Sequence, residues 1–238
     1  HWTGTNISLD QRAQNAVTVT MDQPRMFRAN FGSTSPVAKV WATTGSWSDD
    51  SKWSPVGVPC RLDSVDIRSG TVTVPEPQYA VTVAVSNGAT LNFSGWDSPL
   101  NAGDVTLYGI LTHEDNSSAE SHKLNLTIDG SLTIQSGGLI EATGLGYDFN
   151  NGPGKPAGNN DGGGHGGQGG LYNAVGGTTY GSIVTPTNCG SGGGSNGGNG
   201  SGGGAIALIV NGPLTNNGAI LADGWYNGST NAGSGGGS

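Results

Sequence analysis

Positive charge, cysteine and uninterrupted apolar sequence are all scarce in this chain. Its 238 residues hold nine Lys plus Arg against 17 Asp plus Glu, a formal net charge of −8, and Lys155 is the only Lys or Arg beyond Lys123. A surface that tracks phosphates needs clustered Lys and Arg, so nucleic acid and anionic membrane surfaces are excluded as partners. No apolar run approaches the roughly 20 residues of a spanning helix, so no membrane insertion is expected. Nor is a secretion leader visible; any such signal has been removed or lies outside the sequence. Only 11% of residues are charged, against about 25% in ordinary domains. The two cysteines, Cys60 and Cys189, lack the Cys-x-x-Cys or Cys/His spacing of a zinc site. They are either one disulfide in an oxidising compartment or two separate thiols, and the sequence leaves both open.

What the chain has instead is glycine. Of 45 Gly, 35 lie in residues 137–238 and ten in the first 136. Each Gly in a helix interior costs about 1 kcal/mol, which excludes long helices. A 33% apolar content still suffices for a core in a chain of this length, as one large domain or two small ones.

Short strand patterns run through the first half. Ala16 to Met21, a turn at Asp22-Gln23-Pro24-Arg25, and Met26 to Phe31 read as a strand pair. Next comes Gly45-x-Trp47, then Trp53, Pro55, Gly57 and Pro59, followed by the alternating Asp63 to Ile67 and Thr71 to Val74. The two Trp read most simply as a cap over one end of a core; stacking on a sugar is the sharper alternative. A residue-Gly-x-(x)-Leu unit then recurs at Gly88, Gly109, Gly130 and Gly212, each after an alternating strand. The first two steps are 21 residues and the last is 82, close to four such periods. Gly130 to Gly144 and Gly212 to Gly224 also echo each other, with Ile140 matching Ile220 and Ala142 matching Ala222. A period near 20 with strand–Gly–strand content predicts coils of a parallel β-solenoid, with Leu, Ile and Val inside and Gly or Asn at corners. Residues 144–205 between the echoes are Gly-rich, yet carry Tyr147, Phe149, Leu171, Tyr172, Val175, Tyr180, Ile183 and Val184 at intervals. The return to the repeat predicts an ordered excursion, not a flexible linker.

Three segments resemble known families. Residues 1–31, with Ala29-Asn30-Phe31 closing them, resemble the last part of a divergent InlB-type bacterial repeat. That resemblance implies a partial repeat with an open sheet edge, to be covered by another chain or by further sequence. The Gly45-x-Trp47, Trp53, Pro59, Asp63-x-Val65-x-Ile67, Val72-Thr73-Val74 order resembles the opening module of large secreted β-helix proteins; Cys60 departs from it. The order Gly146-Tyr147, Gly152-Pro153-Gly154, Gly162 to Gly170, Tyr180-Gly181-Ser182, Pro186, Gly190 to Gly194 and Ala205 to Gly224 resembles a Gly-rich segment of such proteins. It implies architecture and no particular activity.

The chemistry-bearing residues are thin. A β-helix glycosidase or lyase needs grouped carboxylates with an Arg or Lys on successive coils. At the shared corner only Asp129 is acidic, while Glu141 and Asp223 are not at equivalent positions and have no basic partner nearby. Calcium repeats would want Asp in the Gly run; a lone site from Asp148, Asp161 and carbonyls is the nearest approach. His165 among glycines reads as a packing or hydrogen-bonding residue. His1 invites comparison with an N-terminal copper brace, but residues 2–31 read as the tail of a repeat. Six sequons, at Asn6, Asn92, Asn116, Asn125, Asn199 and Asn227, permit N-glycosylation without showing it.

The expectation is an all-β chain: a strand pair over 1–31, a Trp/Pro-rich β module over 32–80, and a right-handed parallel β-helix over 81–238 with its Gly-rich insertion. Its function is that of an extracellular structural or adhesive segment, without catalysis or cofactor, self-associating head-to-tail or by strand completion. The alternative is a carbohydrate-binding or polysaccharide-processing module using Trp47, Trp53 or Trp96.

Overall fold

The computed structural model describes residues 2–4, 27–29, 36–172, 174–182, 184–194, 200–226 and 237, the first two stretches by backbone alone. In chain order the strands are β1 (Trp2–Gly4), β2 (Phe27–Ala29), β3 (Ala38–Ala42), β4 (Gly45–Ser46), β5 (Ser64–Val74), β6 (Gln78–Val85), β7 (Ala89–Phe93), β8 (Leu100–Leu107) and β9 (Ile110–His113). There follow β10 (Leu124–Ile128), β11 (Leu132–Ile134), β12 (Leu139–Glu141), β13 (Gly200–Ser201), β14 (Ile206–Val210), β15 (Leu214–Asn216), β16 (Ala219–Leu221) and β17 (Trp225–Tyr226). The one helical turn among the described residues is the 3-10 turn Asp50–Lys52, capped by Asp49. β1 and β2 pair antiparallel; the expected strand Ala16 to Met21 lies outside the described residues.

Thirteen strands form one parallel sheet that curls on itself. Three ladders build it. In one, Val65, Val83, Val105, Leu132 and Leu214 succeed one another through β5, β6, β8, β11 and β15. In the second, Val72, Leu91, Leu111, Ile140 and Ile220 succeed one another through β5, β7, β9, β12 and β16. In the third, Ala80, Ala102, Ile128 and Val210 align through β6, β8, β10 and β14. β5 serves two ladders by turning at Gly70 (φ +72°), where an added Cβ would lie 1.8 Å from the Thr43 carbonyl oxygen. Only glycine tolerates both that dihedral and that approach.

Strand alternation puts every second side chain inside. Val65, Ile67, Val72, Val74, Val83, Val85, Leu91, Phe93, Leu107 and Leu126 are all buried in one cluster. Like residues stack on like from tier to tier, so each tier covers the apolar face of the last.

The tiers depart from an even period. Gly109 follows Gly88 by one tier, but Gly130 meets Gly103, whose carbonyl accepts its N–H at 2.7 Å. Asp104 likewise accepts from Ser131 across 27 residues. The second 21-residue step is therefore a coincidence of spacing. The long step is also different: Asn211 reaches Asp129 across 82 residues, because β14 pairs directly with β10. What looked like four periods is one tier plus an excursion.

Candidate functional site

The excursion packs into a lobe beside the sheet, and the joint between the two is a hydrogen-bonded network around the buried Asn116. Apart from β13, which pairs antiparallel with β17, the described residues of the lobe form neither helix nor ladder. Gly162 donates to Gly170, Gly169 to Gly177 and Gly177 back to Gly162, each at 2.8 Å. Three segments thus close a triangle, which strands in one plane cannot do. A second triangle joins Gly146, Tyr147, Gly190, Gly202 and Gly203. A Cβ on Gly177 would stand 1.8 Å from the Gly154 oxygen, and one on Gly202 1.8 Å from the Gly190 oxygen. Backbones meet here at distances that exclude side chains, the requirement that puts Gly at the axis of the collagen triple helix.

Asn116 holds the joint. It is 4% exposed. Its Nδ2 donates to the carbonyls of His122 and Leu145, both at 2.9 Å, and to Cys189 Sγ at 3.3 Å. Its Oδ1 accepts from the N–H groups of Ser121 and His122. Glu120 takes the N–H of Cys189 at 2.9 Å and the Asn188 amide at 3.2 Å. Tyr180 donates its hydroxyl to the Cys189 carbonyl and accepts from Ser191 Oγ, which itself accepts from Gly154 N–H. The apolar content is small: Tyr147, Cys189 and Ala205, with Trp96 against them.

Electrostatics follow from that burial. Burial first, then the Glu120 and Asp115 carboxylates, push the Cys189 thiol up to about 12. Burial likewise pushes the Tyr147 phenol up to about 12 and raises Tyr180. Cys189 is therefore a neutral thiol at physiological pH, the wrong state for a nucleophile. His113 lies beneath the joint, 2% exposed, with Nδ1 donating to the Glu114 carbonyl at 2.7 Å. Its Nε2 points at Gly204 and has no hydrogen-bond partner. Burial lowers its pKa, with a further push from His122.

The sequence-predicted residues are placed as follows. Trp47 and Trp53 are 0% and 2% exposed and stack edge-on at 5.1 Å, with Trp41 against Trp53 at 4.8 Å. They are the end cap, and they present no face to a sugar. Trp96 is half-buried, with Lys123 Nζ 4.7 Å over its ring. Cys60 and Cys189 are both free thiols. Cys60 lies ahead of β5 with its N–H on Asp63, while Cys189 lies in the joint, so the disulfide reading is not met. Asn116 cannot carry a glycan, because its amide is spent internally. Asn92 and Asn125 sit on strands, half-buried, and Asn92 donates to Glu114. Asn6, Ile183, Asn199, Asn227 and His1 lie outside the described residues.

Asp148 and Asp161 do not meet over a cation. Asp161, fully buried, accepts the N–H groups of Tyr172 and Ala174 at 2.6 and 3.0 Å. Asp148 accepts from Ser117 and Ser201. Among the described residues no group of three His, Cys, Asp or Glu is placed to hold a metal ion. His165 packs edge-on against Tyr180 at 5.0 Å. Several apolar residues expected to pin the excursion do not: Leu171 is 73% and Val184 82% exposed, and Phe149, Tyr172 and Val175 are also exposed. No sequence motif marked Glu120, whose bond to Cys189 spans 69 residues, and the Gly-rich order that contains Tyr180 and Ser191 gave neither a bonding role. Among the described residues no helix is long and apolar enough to cross a membrane. Comparison with protein-family models, curated proteins and solved structures finds no match.

Proposed function

We propose that the chain is a structural segment of an extracellular surface, matrix or fibre protein, a right-handed parallel β-helix that carries a glycine-packed lobe and no catalytic centre. The observation that carries this reading is the use made of buried polar groups. Asn116, Asp161, Tyr180 and Ser191 bond the chain's own lobe and joint, as does Glu120. Asp161, Tyr180 and Ser191 are bonded inside the lobe, and Asn116 and Glu120 tie it to the segment after β9. The three parallel ladders, with tier on tier in register, support the β-helix. The resemblances of residues 1–31 to a bacterial repeat and of Gly146 to Gly224 to secreted β-helix proteins support the extracellular setting.

Negative-stain electron microscopy of the assembled material tests the reading, with fibres or an ordered surface layer as the expected image. Turnover of a polysaccharide would overturn it. So would glycan binding lost in Trp96→Ala with the fold intact, which would make the chain a carbohydrate-active module.

A further inference from the structure

We propose that Asn87-Gly88, at the corner between β6 and β7, is a self-modification site, where the chain turns its own asparagine into aspartate and isoaspartate with water as the only co-reactant. This stands on the geometry of one turn and is independent of the extracellular reading. Seven Asn-Gly pairs occur in the sequence. Those that begin at Asn196, Asn199 and Asn227 lie outside the described residues. In the reaction the glycine nitrogen attacks the asparagine Cγ. It therefore needs a glycine N–H without an acceptor, an unbound asparagine side chain, access to water and room to turn.

The four described pairs differ in these respects. Gly212 donates its N–H to the Gly130 carbonyl at 2.9 Å, and the Asn211 amide donates to Asp129 at 3.3 Å. Gly218 donates to Asn216 Oδ1 at 3.1 Å. Asn151 is held by the Phe149 carbonyl at 3.3 Å and by the Gly192 N–H at 3.2 Å, and an added Cβ on Gly152 would lie 2.5 Å from Ser191 Oγ. At Asn87-Gly88 none of these restraints is present. Both residues are exposed. Among the described residues nothing bonds the Asn87 side chain or the Gly88 N–H, and an added Cβ on Gly88 would meet nothing within 4 Å. One bond closes the corner, from Ala89 N–H to the Ser86 carbonyl at 3.0 Å. With φ +80° at Gly88 this is a type II turn, whose central peptide plane rotates when the turn passes to type I. That soft peptide is the one that carries the Gly88 nitrogen.

The atoms balance with water in and ammonia out. The Gly88 nitrogen gives its proton to hydroxide and bonds to Asn87 Cγ; the Cγ–Nδ2 bond breaks and the nitrogen leaves as ammonia. Water then opens the five-membered imide. Opening at the side-chain carbonyl leaves an aspartate. Opening at the main-chain carbonyl leaves an isoaspartate, whose backbone runs through the former side-chain methylene. That longer corner lies under the next tier. Gly109 donates to the Val85 carbonyl at 3.0 Å, and an added Cβ on Gly109 would lie 2.3 Å from the Ser86 oxygen.

Incubation of the folded wild-type chain at mildly alkaline pH, followed site by site with tandem mass spectrometry, tests this. Asn87 is expected to convert roughly tenfold faster than Asn151, Asn211 and Asn217, whose surroundings must open first. In guanidinium the four rates should converge, because the dipeptide is the same in each. Any of the three keeping pace with Asn87 in the folded chain would overturn the proposal. So would an equal lead for Asn87 in the unfolded chain, which would place the selectivity in the neighbouring sequence and not in the fold. The isoaspartate form should also exchange its Gly109 amide faster than the unmodified chain; unchanged exchange there would overturn the link to the next tier.

Discussion

In the sheet, side chains fill the space between backbones; in the lobe, the backbones leave no space for side chains. The sheet buries columns of Val, Leu and Ile in one cluster, and burial of each such side chain contributes about 1.5–3 kcal/mol. The lobe buries little beyond Tyr147, Cys189 and Ala205 and relies on backbone bonds between segments. Each of those is worth about 0.5–1.5 kcal/mol net, while each Gly surrenders more conformational freedom on folding than any other residue. The lobe is the weaker body by this reasoning, and its order depends on the sheet that returns it to the adjacent tier at β14.

The largest expected effect breaks the sheet. Leu107→Ala removes a fully buried column residue and is expected to cost about 2–5 kcal/mol, read as a lower midpoint in denaturant with both regions lost together. Next comes the lobe. Gly177→Ala would drive a Cβ into the Gly154 oxygen and Gly164 nitrogen and is expected to cost about 1–3 kcal/mol. Hydrogen exchange should show protection lost in the lobe and kept in β5 to β12. Equal loosening of both regions by Gly177→Ala would erase the distinction between them.

A smaller effect sharpens the joint. His113 occupies the inward column after Phe93, and its pKa is lowered by burial. The folded state then resists protonation more than the unfolded chain, whose His titrates near 6.5. The His113 contribution is full above about 6.5 and is lost as pH falls through the lowered value. His122 adds to that lowering through its charge, and Glu114 opposes it through its backbone carbonyl. Thermal melts of His113→Phe should lose the wild-type dependence in that window; an unchanged pH profile would remove His113 from the account. The smallest effect is chemical. A thiol reagent should modify the half-exposed Cys60 in the folded chain and reach Cys189 only after unfolding, two thiols in all, because both are free.

The sheet was largely legible in the sequence because its physics is local. The alternating strands expected ahead of Gly130 and Gly212 are present as Leu124–Ile128 and Ile206–Val210, and the echo of Ile140 in Ile220 is a direct pairing. Tier length was not legible. Loops such as 114–123 vary freely outside the ladders, so Gly130 falls beside Gly103 and not one even period on. The Trp cap was read as a cap, and its burial removes the sugar-stacking option. The joint was hidden for a different reason. Asn116 appeared as a sequon and Asp161 as a candidate calcium ligand, since both motifs describe exposed groups. Besides its near partners Ser121 and His122, Asn116 reaches Leu145, 29 residues away, and Asp161 reaches Ala174, 13 away. Side-chain-to-backbone bonds of that kind leave no periodic trace.

The claim that the glycine excess encodes a folded, backbone-packed lobe is tested most directly by residue-resolved amide exchange on the wild-type chain. The account predicts protection at Gly162, Gly169, Gly177, Gly190 and Gly202, whose N–H groups all donate across segments, at levels below those of β8 and β10 but well above a free peptide. Exchange of these five amides at free-peptide rates, with the sheet still protected, would contradict it.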